Sequence, residues 1–197
     1  MAKLSGRSTG VTGLDQAIEG GFPAGTVIVT MGSPVAGVEH LARQFWEAHD
    51  EAGETGTYLM IDGDIAPGMV DARLITPDAV SCLYKGDRVV VDSLSGLILV
   101  HGMEAAYTCI SAAKQHCGAT GANVMFIYYS GLHTPVEDLR VIRAADVLLE
   151  LKEVTFMNEI ERQLAVHKLK GRAVPKRLIP FNISEKGVEL STTSRVV

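Results

Sequence analysis

The chain has few cysteines, no excess of basic residues and no long apolar run, and each shortage removes a class of protein. The three cysteines, Cys82, Cys109 and Cys117, are odd in number and form no C-x-x-C pair, which argues against a disulfide framework and a zinc motif. No uninterrupted apolar stretch reaches the roughly 18 residues of a membrane span. Residues 1–7 also lack the apolar segment of a signal peptide. We therefore expect a cytoplasmic protein with no membrane-embedded part.

The charge balance is mildly acidic, with 18 Lys and Arg against 23 Asp and Glu and a net charge of −5. Binding to nucleic acid without regard to sequence depends on neutralising phosphates, so this balance disfavours it as the main activity. Hydrophobic residues make up 47% of the 197 positions and charged residues 21%, as in ordinary globular proteins. We predict a single domain over residues 1–197, long enough to bury a sizeable core.

Short apolar runs alternate with helical patterns along the chain. This alternation predicts an α/β fold with a mostly parallel central sheet and helices on both faces. Predicted strands are Thr26–Met31, Thr57–Ile61, Arg88–Val91, Asn123–Tyr128 and Val147–Leu151, followed by antiparallel strands Arg162–Leu169 and Leu178–Ile183; predicted helices are Glu39–His49 and residues 103–116, with a short, helix-poor connection over residues 65–87.

Polar residues follow several of the predicted strands. Asp62 and Asp64 come after the second strand, Asp92 and Ser93 after the third, and Ser130 after the fourth. In parallel sheets, ligands bind beyond the carboxyl ends of the strands, so these side chains mark the expected site. Asp62 and Asp64 could share a cation or a proton, although such a pair is more often part of a solvated turn.

A glycine loop follows the first strand, over Gly32-Ser-Pro-Val-Ala-Gly37-Val38-Glu39. Its two glycines have the spacing of the phosphate-binding pattern G-x-x-x-x-G-K-[ST]. Val38 stands where that pattern has the lysine that contacts the β- and γ-phosphates, and Glu39 where it has the hydroxyl that binds Mg²⁺. A carboxylate at a helix N-terminus competes for the place that an anion would take.

Three interpretations of this loop stay open. The first is an inherited strand-to-helix turn without a ligand, in which Glu39 is only a favourable first-turn helix residue. The second is ATP binding through the backbone amides and Asp92, with Mg²⁺ as the associated ion. The third is binding of another anion. A lone aspartate is a poor magnesium site without the phosphates of a nucleotide, so we expect no cofactor and assign no confident metal ligand or catalytic residue.

The segment Ser8–Thr26 resembles the opening of KaiC-like and RadA-like members of the RecA ATPase superfamily. Their pattern S/T-G-x-x-G-L-D-x-x-x-x-G-G-x-P-x-G is met by Gly13-Leu-Asp15, Gly20-Gly21, Pro23 and Gly25. The segment Arg88–Leu97 resembles the family's Walker B strand, with Asp92 in the Mg²⁺ position. The C-terminal region from Ala145 to Leu190 also resembles the KaiC ending. The resemblance implies a RecA-like fold and some form of self-association.

Three departures from the family pattern concern the nucleotide site. The first is the pair Val38-Glu39. The second is Asp62-Gly63, where KaiC-like proteins have paired glutamates, one of them the catalytic base. The third is milder: Lys168 and Lys170, with Arg172 two residues on, stand in place of a K-x-R pair that contacts a neighbour's γ-phosphate. A lysine lacks the bidentate fork of arginine. These departures predict a degenerate Walker A motif and a chain that does not hydrolyse ATP.

The first functional hypothesis is a pseudo-ATPase that acts by association, as a dimer or larger assembly or with an active KaiC/RadA-like paralogue. Lys168, Lys170 and Arg172 would be its trans-acting basic surface. The alternatives are an atypical ATP-binding protein or weak ATPase that uses remnants Asp62 and Asp92, and a DNA-binding accessory of recombination. A single G-x-S-x-G match at Gly6–Gly10 precedes every predicted strand, so it lacks the context of a nucleophile elbow. Similar single-domain chains are common in archaea.

Overall fold

A computed structural model describes residues 6–191, apart from the side chains of residues 51 and 156, and a nine-stranded sheet forms its centre. The strands are β1 Gly6–Arg7, β2 Phe22–Pro23, β3 Val27–Gly32, β4 Gly56–Met60, β5 Val70–Asp71, β6 Arg88–Asp92, β7 Asn123–Tyr129, β8 Val147–Phe156, β9 Glu159–Leu169, β10 Ile179–Ser184 and β11 Gly187–Leu190. The helices are α1 Thr12–Ala17, α2 Val38–Ala52, α3 Pro77–Val80, α4 Leu94–Thr120 and α5 Pro135–Ala144, with a short 3₁₀ turn at Ser81–Leu83.

The spatial order of the main sheet is β11-β10-β9-β8-β3-β7-β6-β4-β5. β8, β3, β7, β6, β4 and β5 are neighbours in this order and pair in parallel. The pairs β8–β9, β9–β10 and β10–β11 are antiparallel. β1 and β2 form a separate two-stranded ribbon. The predicted mostly parallel sheet with antiparallel closing strands is confirmed. Its inner strands are apolar because both faces are covered, and all five residues of β6 are buried.

Each face of the sheet packs against helices and forms its own apolar core. On one face, Leu41 and Phe45 of α2 pack with Ile28 of β3. On the other face, Leu97 and Ile110 of α4 pack with side chains that include Phe126 of β7. Side chains alternate along a strand, so consecutive residues of β3 enter opposite cores. The helices on both faces agree with the strand–helix alternation of the sequence.

Helix α4 differs from its predicted bounds. It begins at Leu94, directly after Asp92-Ser93, whereas the sequence predicts a helix over residues 103–116. The Ser93 hydroxyl accepts a hydrogen bond from the Gly96 amide and so caps the helix. The backbone of Gly102 is not helical (φ 79°, ψ 171°), which is why the first turns are hard to recognise from periodicity. The helices α1, α3 and α5 and the strands β1, β2, β5 and β11 are absent from the predicted elements.

By length and composition, α4 is apolar enough to cross a membrane, which qualifies the expectation of no membrane-length segment. Nearly half of its most apolar window is buried against the protein. Leu94, Leu97 and Ile110 are among its wholly or almost wholly buried residues. These contacts make the buried side of α4 part of the apolar core of the α/β fold.

The N-terminal motif segment, Ser8–Thr26, forms hydrogen bonds within the protein that involve no ligand. The carboxylate of Asp15 accepts hydrogen bonds from the Ser8 hydroxyl (2.6 Å) and the Thr9 amide (2.7 Å). The buried guanidinium of Arg88 donates to the Ser8 carbonyl (2.6 Å) and forms an ion pair with Glu54 (2.6 Å). The motif segment is therefore held against the start of β6, at the opposite end of the parallel strands from the glycine loop.

Candidate functional site

The carboxyl ends of the parallel strands form a cleft of about 470 Å³. Four carboxylates line it: Glu39 at the start of α2, Asp62 and Asp64 after β4, and Asp92 at the end of β6. Two tyrosines, Tyr58 and Tyr129, also line it, and His40 and Arg43 of α2 supply its basic side chains. The topology therefore brings together Glu39, Asp62 and Asp92, which are far apart in the sequence.

The glycine loop keeps the strand–turn–helix form but its interior is filled. β3 ends at Gly32, Gly37 adopts a left-handed conformation (φ 94°), and α2 begins at Val38. Val38 and Ala36 are completely buried. A side chain at Gly32 would meet the Leu151 carbonyl at 2.6 Å, Val38 Cγ1 at 2.9 Å and Ala36 Cβ at 3.3 Å. The aliphatic side chains thus pack tightly at the base of the loop.

The Ala36 amide takes part in the loop's own structure. It donates a hydrogen bond to the Ser33 carbonyl at 3.0 Å and so closes a turn inside the loop. At the end of β7, the Ser130 amide donates to the Gly32 carbonyl at 2.9 Å. One backbone amide of the loop, that of Ala36, is therefore already hydrogen-bonded within the protein.

Glu39 extends across the cleft to the neighbouring strand. Its carboxylate accepts a hydrogen bond of 2.7 Å from the Tyr129 hydroxyl. Burial and this hydrogen bond raise the pKa of Tyr129, so the phenol stays protonated and continues to donate. The side chain in the Mg²⁺ hydroxyl position therefore has a defined partner inside the chain.

Asp92 is the most deeply buried carboxyl group of the cleft, with 5% of its surface exposed. Its carboxylate accepts a hydrogen bond of 2.6 Å from the Tyr58 hydroxyl. Burial raises the pKa of Asp92 to about 6, assisted by the nearby charges of Glu39 and Asp62 and opposed by the Tyr58 hydrogen bond. Tyr58 itself has a raised pKa, chiefly because it is buried. This pair couples β4 to β6 through side chains.

Asp62 connects the end of β4 to the start of α4. It accepts a hydrogen bond of 2.8 Å from the Ser93 hydroxyl, which in turn accepts one from the Gly96 amide. Burial raises the pKa of Asp62, whereas its hydrogen bonds with Ser93 lower it. A side chain at Gly96 would meet the Asp62 carboxylate at 2.3 Å, so the helix approaches this group very closely. Asp62 is thus part of the capping arrangement of α4.

Comparison with known proteins places the chain in a family. The family model described as "Family of unknown function (DUF7125)" matches residues 65–196, about two thirds of the 197 positions. The chain belongs to the DUF7125 family. The matched region contains Asp92 and the basic residues Lys168, Lys170 and Arg172, and it begins after the glycine loop.

Two curated proteins from Pyrococcus match this DUF7125 chain over most of its length. UPF0273 protein PH0284 of Pyrococcus horikoshii is 24% identical and UPF0273 protein PF1931 of Pyrococcus furiosus is 23% identical, each over 91% of both chains. Among solved structures, the KaiC-like protein PH0186 of Pyrococcus horikoshii superposes with a TM-score of 0.79 at 18% identity, covering 96% of this chain and all of that one. The predicted KaiC-like, RecA-type fold is therefore confirmed.

The predicted basic residues of the DUF7125 chain lie where β9 ends, at the opposite end of the strands from the glycine loop. Lys168 donates to the backbone carbonyls of Ala145 and Arg143 at the end of α5. Lys170 forms an ion pair with Asp146 at 3.1 Å, and Arg172 donates to the Gly21 carbonyl at 3.0 Å. A trans-acting role would require these cations to exchange partners within the chain for partners in a neighbour.

Among the side chains of the cleft that the predicted site does not include are Tyr58, Tyr129 and the basic pair His40 and Arg43. Tyr129 follows directly on a predicted strand, but nothing in the sequence indicates that its hydroxyl reaches Glu39, 90 residues away. Tyr58 lies within a predicted strand, where a buried aromatic residue is ordinary. Its pairing with Asp92 follows from the parallel alignment of β4 and β6, which the sequence pattern alone does not specify.

Proposed function

We propose that this protein is a pseudo-ATPase: a KaiC/RecA-type chain that regulates or assembles with partners and does not hydrolyse ATP. The observation that supports this most directly is the packed base of the glycine loop. Val38, in the position of the phosphate-binding lysine, is completely buried with Ala36. A buried valine at this position supplies no cation to the phosphates of a nucleotide, which supports the proposal.

The electrostatics of the cleft support the same proposal. Its lining includes Glu39, Asp62, Asp64 and Asp92, against which it presents one arginine and one histidine. A nucleoside triphosphate would enter a cleft in which carboxyl groups outnumber basic side chains and repel its phosphates. The carboxylate of Glu39 also holds Tyr129 at the helix N-terminus, the place where an anion would benefit most from the helix dipole.

The side chains present do not fit the Mg²⁺ ion that the ATPase fold implies. Asp92 is tied to Tyr58, and the hydroxyl that would bind the ion is replaced by Glu39. Within residues 6–191, no group of three or more His, Cys, Asp or Glu side chains is placed to hold a metal ion. We therefore derive no catalytic step from Mg·ATP at this site.

The proposed association depends on where two sets of residues lie: the glycine loop and the basic residues are at opposite ends of the strands. The glycine loop lies at the carboxyl end of β3, whereas Lys168, Lys170 and Arg172 lie at the opposite end. A basic edge that cannot reach its own loop could meet an acidic cleft only in another copy or in a related ATPase. Head-to-tail contacts of this kind use two different surfaces.

Calorimetric titration of the purified chain with Mg·ATP and Mg·ADP at low salt tests the proposal. We expect no binding heat up to millimolar nucleotide for a chain shown to be folded by circular dichroism. Binding at micromolar affinity would overturn the proposal in favour of an atypical ATP-binding protein. Salt-sensitive binding of a labelled single-stranded oligonucleotide would favour the DNA-accessory alternative.

The double substitution Val38→Lys with Glu39→Thr restores the phosphate-binding pattern in the same experiment. The left-handed turn at Gly37 and the start of α2 are retained, so we expect this variant to gain measurable affinity for Mg·ATP. Glu39→Thr alone is the matched control, because it removes the carboxylate without supplying the lysine. Equal titration curves for the wild type and the double variant would show that the packed loop cannot reopen.

A further inference from the structure

Exposed apolar side chains occur along two neighbouring helices and the loop before the second of them. They belong to α4, to the loop after β7 and to α5, and each exposes between 43% and 74% of its surface. The residues of this α4–α5 apolar surface are Leu99, Val100, Tyr107, Leu132, Val136 and Leu139. In a soluble monomer, such residues are usually scattered singly, so a group of six calls for an explanation.

Contacts between the two helices show that these residues form one surface. His133, just before α5, places its Nε2 atom 2.9 Å from Ser95 Oγ, 38 residues earlier. Arg140 Nη2 lies 2.7 Å from Glu104 Oε1, 36 residues earlier, and its guanidinium stacks over Tyr107 at 5.3 Å. Helix α5 therefore runs beside α4 in the same direction, with a residue offset of about 37.

The backbone of α4 presents this surface outwards. Its first turns bury Leu97 and Ile98 against the sheet and leave Leu99 and Val100 exposed. The helix is interrupted at Gly102, and a side chain built there would meet nothing within 4 Å, so the region is open. Val136 and Leu139 are three residues apart on α5 and therefore share a face of that helix.

The size of the surface fits a second protein molecule. Six large side chains exposed to this extent present roughly 600 Å². A stable interface buries about 800 Å² on each partner, of which a polar rim supplies part. The area of this surface is therefore that of the apolar centre of a protein–protein interface of ordinary size.

The charges around the surface favour another copy of the same chain. Helix α5 has Glu137 and Asp138 in its first turn and Arg143 in its last. When two copies meet about a two-fold axis that is perpendicular to α5, their α5 helices run antiparallel, and the acidic end of each faces the basic end of the other. Glu104 and Arg140 at the rim neutralise each other. A surface without net positive charge has little attraction for anionic lipid or nucleic acid.

We propose that the α4–α5 apolar surface is the contact of a two-fold symmetric homodimer, with Leu139 near the axis. This interface extends the assembly role proposed above, because it names the contact surface and the partner. It rests on that role only in taking the chain to associate with itself. It is separate from the basic edge at Lys168–Arg172, which would form head-to-tail contacts. An apolar contact tolerates high salt, whereas a contact made by the basic edge weakens in it.

Sedimentation equilibrium of the full chain without nucleotide, from low to high micromolar concentration and at low and high salt, tests the interface. We expect a dimer that persists at high salt. Leu139→Glu should raise the dimer dissociation constant at least about tenfold, because each copy places a carboxylate in the centre of the contact. Leu74→Glu is the matched control, since Leu74 is 98% exposed and lies outside the surface; it should leave the dimer unchanged.

A cysteine variant keeps the proposal testable if Leu139→Glu fails to fold. Leu139→Cys in a Cys82→Ser background should form a covalent dimer under mild oxidant, because a two-fold axis brings identical positions together. Leu74→Cys in the same background should not. Cys109 and Cys117 are buried and do not compete.

A monomer at every concentration, a dimer that Leu139→Glu leaves intact, or a salt-sensitive dimer would each overturn the assignment. Sedimentation of a monomeric chain with anionic vesicles would overturn it in favour of a membrane surface. The nucleotide titration is independent of all these results. Failure of the dimer therefore leaves the pseudo-ATPase proposal standing, and ATP binding leaves the dimer standing.

Discussion

Replacing Asp92 by Asn should make the protein more stable at neutral pH. Asp92 is almost completely buried, and its negative charge lies near Glu39 and Asp62. Asparagine has nearly the same shape and can still accept the hydrogen bond from Tyr58, but it carries no charge to desolvate. In an ATPase that depends on this aspartate for Mg²⁺, the group is retained for catalysis; here we expect its charge to be a structural burden.

The pKa of Asp92 gives the size and the pH range of the effect. Folding raises this pKa from its ordinary 3.8 to about 6. The folded state therefore holds the proton more tightly than the unfolded state, and stability is lost as the pH rises from about 4 through 6. The full difference corresponds to about 3 kcal/mol at neutral pH and falls to about 1 kcal/mol near pH 4.5.

Thermal unfolding followed by circular dichroism measures the prediction. For a chain of this size, about 3 kcal/mol is roughly 6–12 °C in Tm. Asp87→Asn is the matched control because it changes the net charge equally. Hydrogen bonds from Thr55 lower the pKa of Asp87, so its loss should lower stability at neutral pH. If Asp92→Asn has the same Tm as the wild type at neutral pH, or an advantage that persists unchanged in acid, the assigned burial cost is wrong.

Two further substitutions test the packing below the site by the same assay. Arg88→Ala removes a buried guanidinium and leaves Glu54 without this partner, so it should lower the free energy of unfolding by roughly 3 kcal/mol. Its control is Arg73→Ala, which breaks an exposed ion pair and should change Tm little. Equal losses of stability in the two variants would contradict the assignment. Gly10→Ala places a Cβ 2.2 Å from a carbonyl of α2 at φ 81°, so it should cost more than Gly131→Ala, where only the left-handed φ of 83° opposes the change. Similar losses at both glycines would show that α2 moves away.

Seven of the eleven described strands, β3, β4 and β6 to β10, and the strand ends that line the cleft can be predicted from local sequence. The run from Arg88 to Asp92 is apolar and β-branched, which favours a strand buried on both faces. Because the strands are parallel, their carboxyl ends meet at one edge, and the sequence places Asp62 and Asp92 there. The absence of the P-loop lysine is a property of the sequence alone, and by itself it argues against ATP hydrolysis.

The bounds of α4 and the existence of α5 cannot be predicted in the same way. The first turns of α4 are capped by Ser93, whose hydroxyl also donates to Asp62, 31 residues earlier. Helix α5 does have a local signal, a capping box formed by Thr134 and Glu137. Its apolar side chains are largely exposed, so a search for a core-facing stripe does not find it.

The sequence by itself determined the order of the main strands, the strand ends at which polar groups collect and the valine in the lysine position of the phosphate-binding pattern. These depend on residue type and on spacing along the chain. Only the tertiary structure decided that Val38 fills the base of its loop, that Tyr58 and Tyr129 hold the carboxylates of Asp92 and Glu39, and that Lys168 lies against the end of α5. Each is a contact between segments that become neighbours only when the strands align, and the energy of such contacts depends on distance and burial, which residue order does not specify.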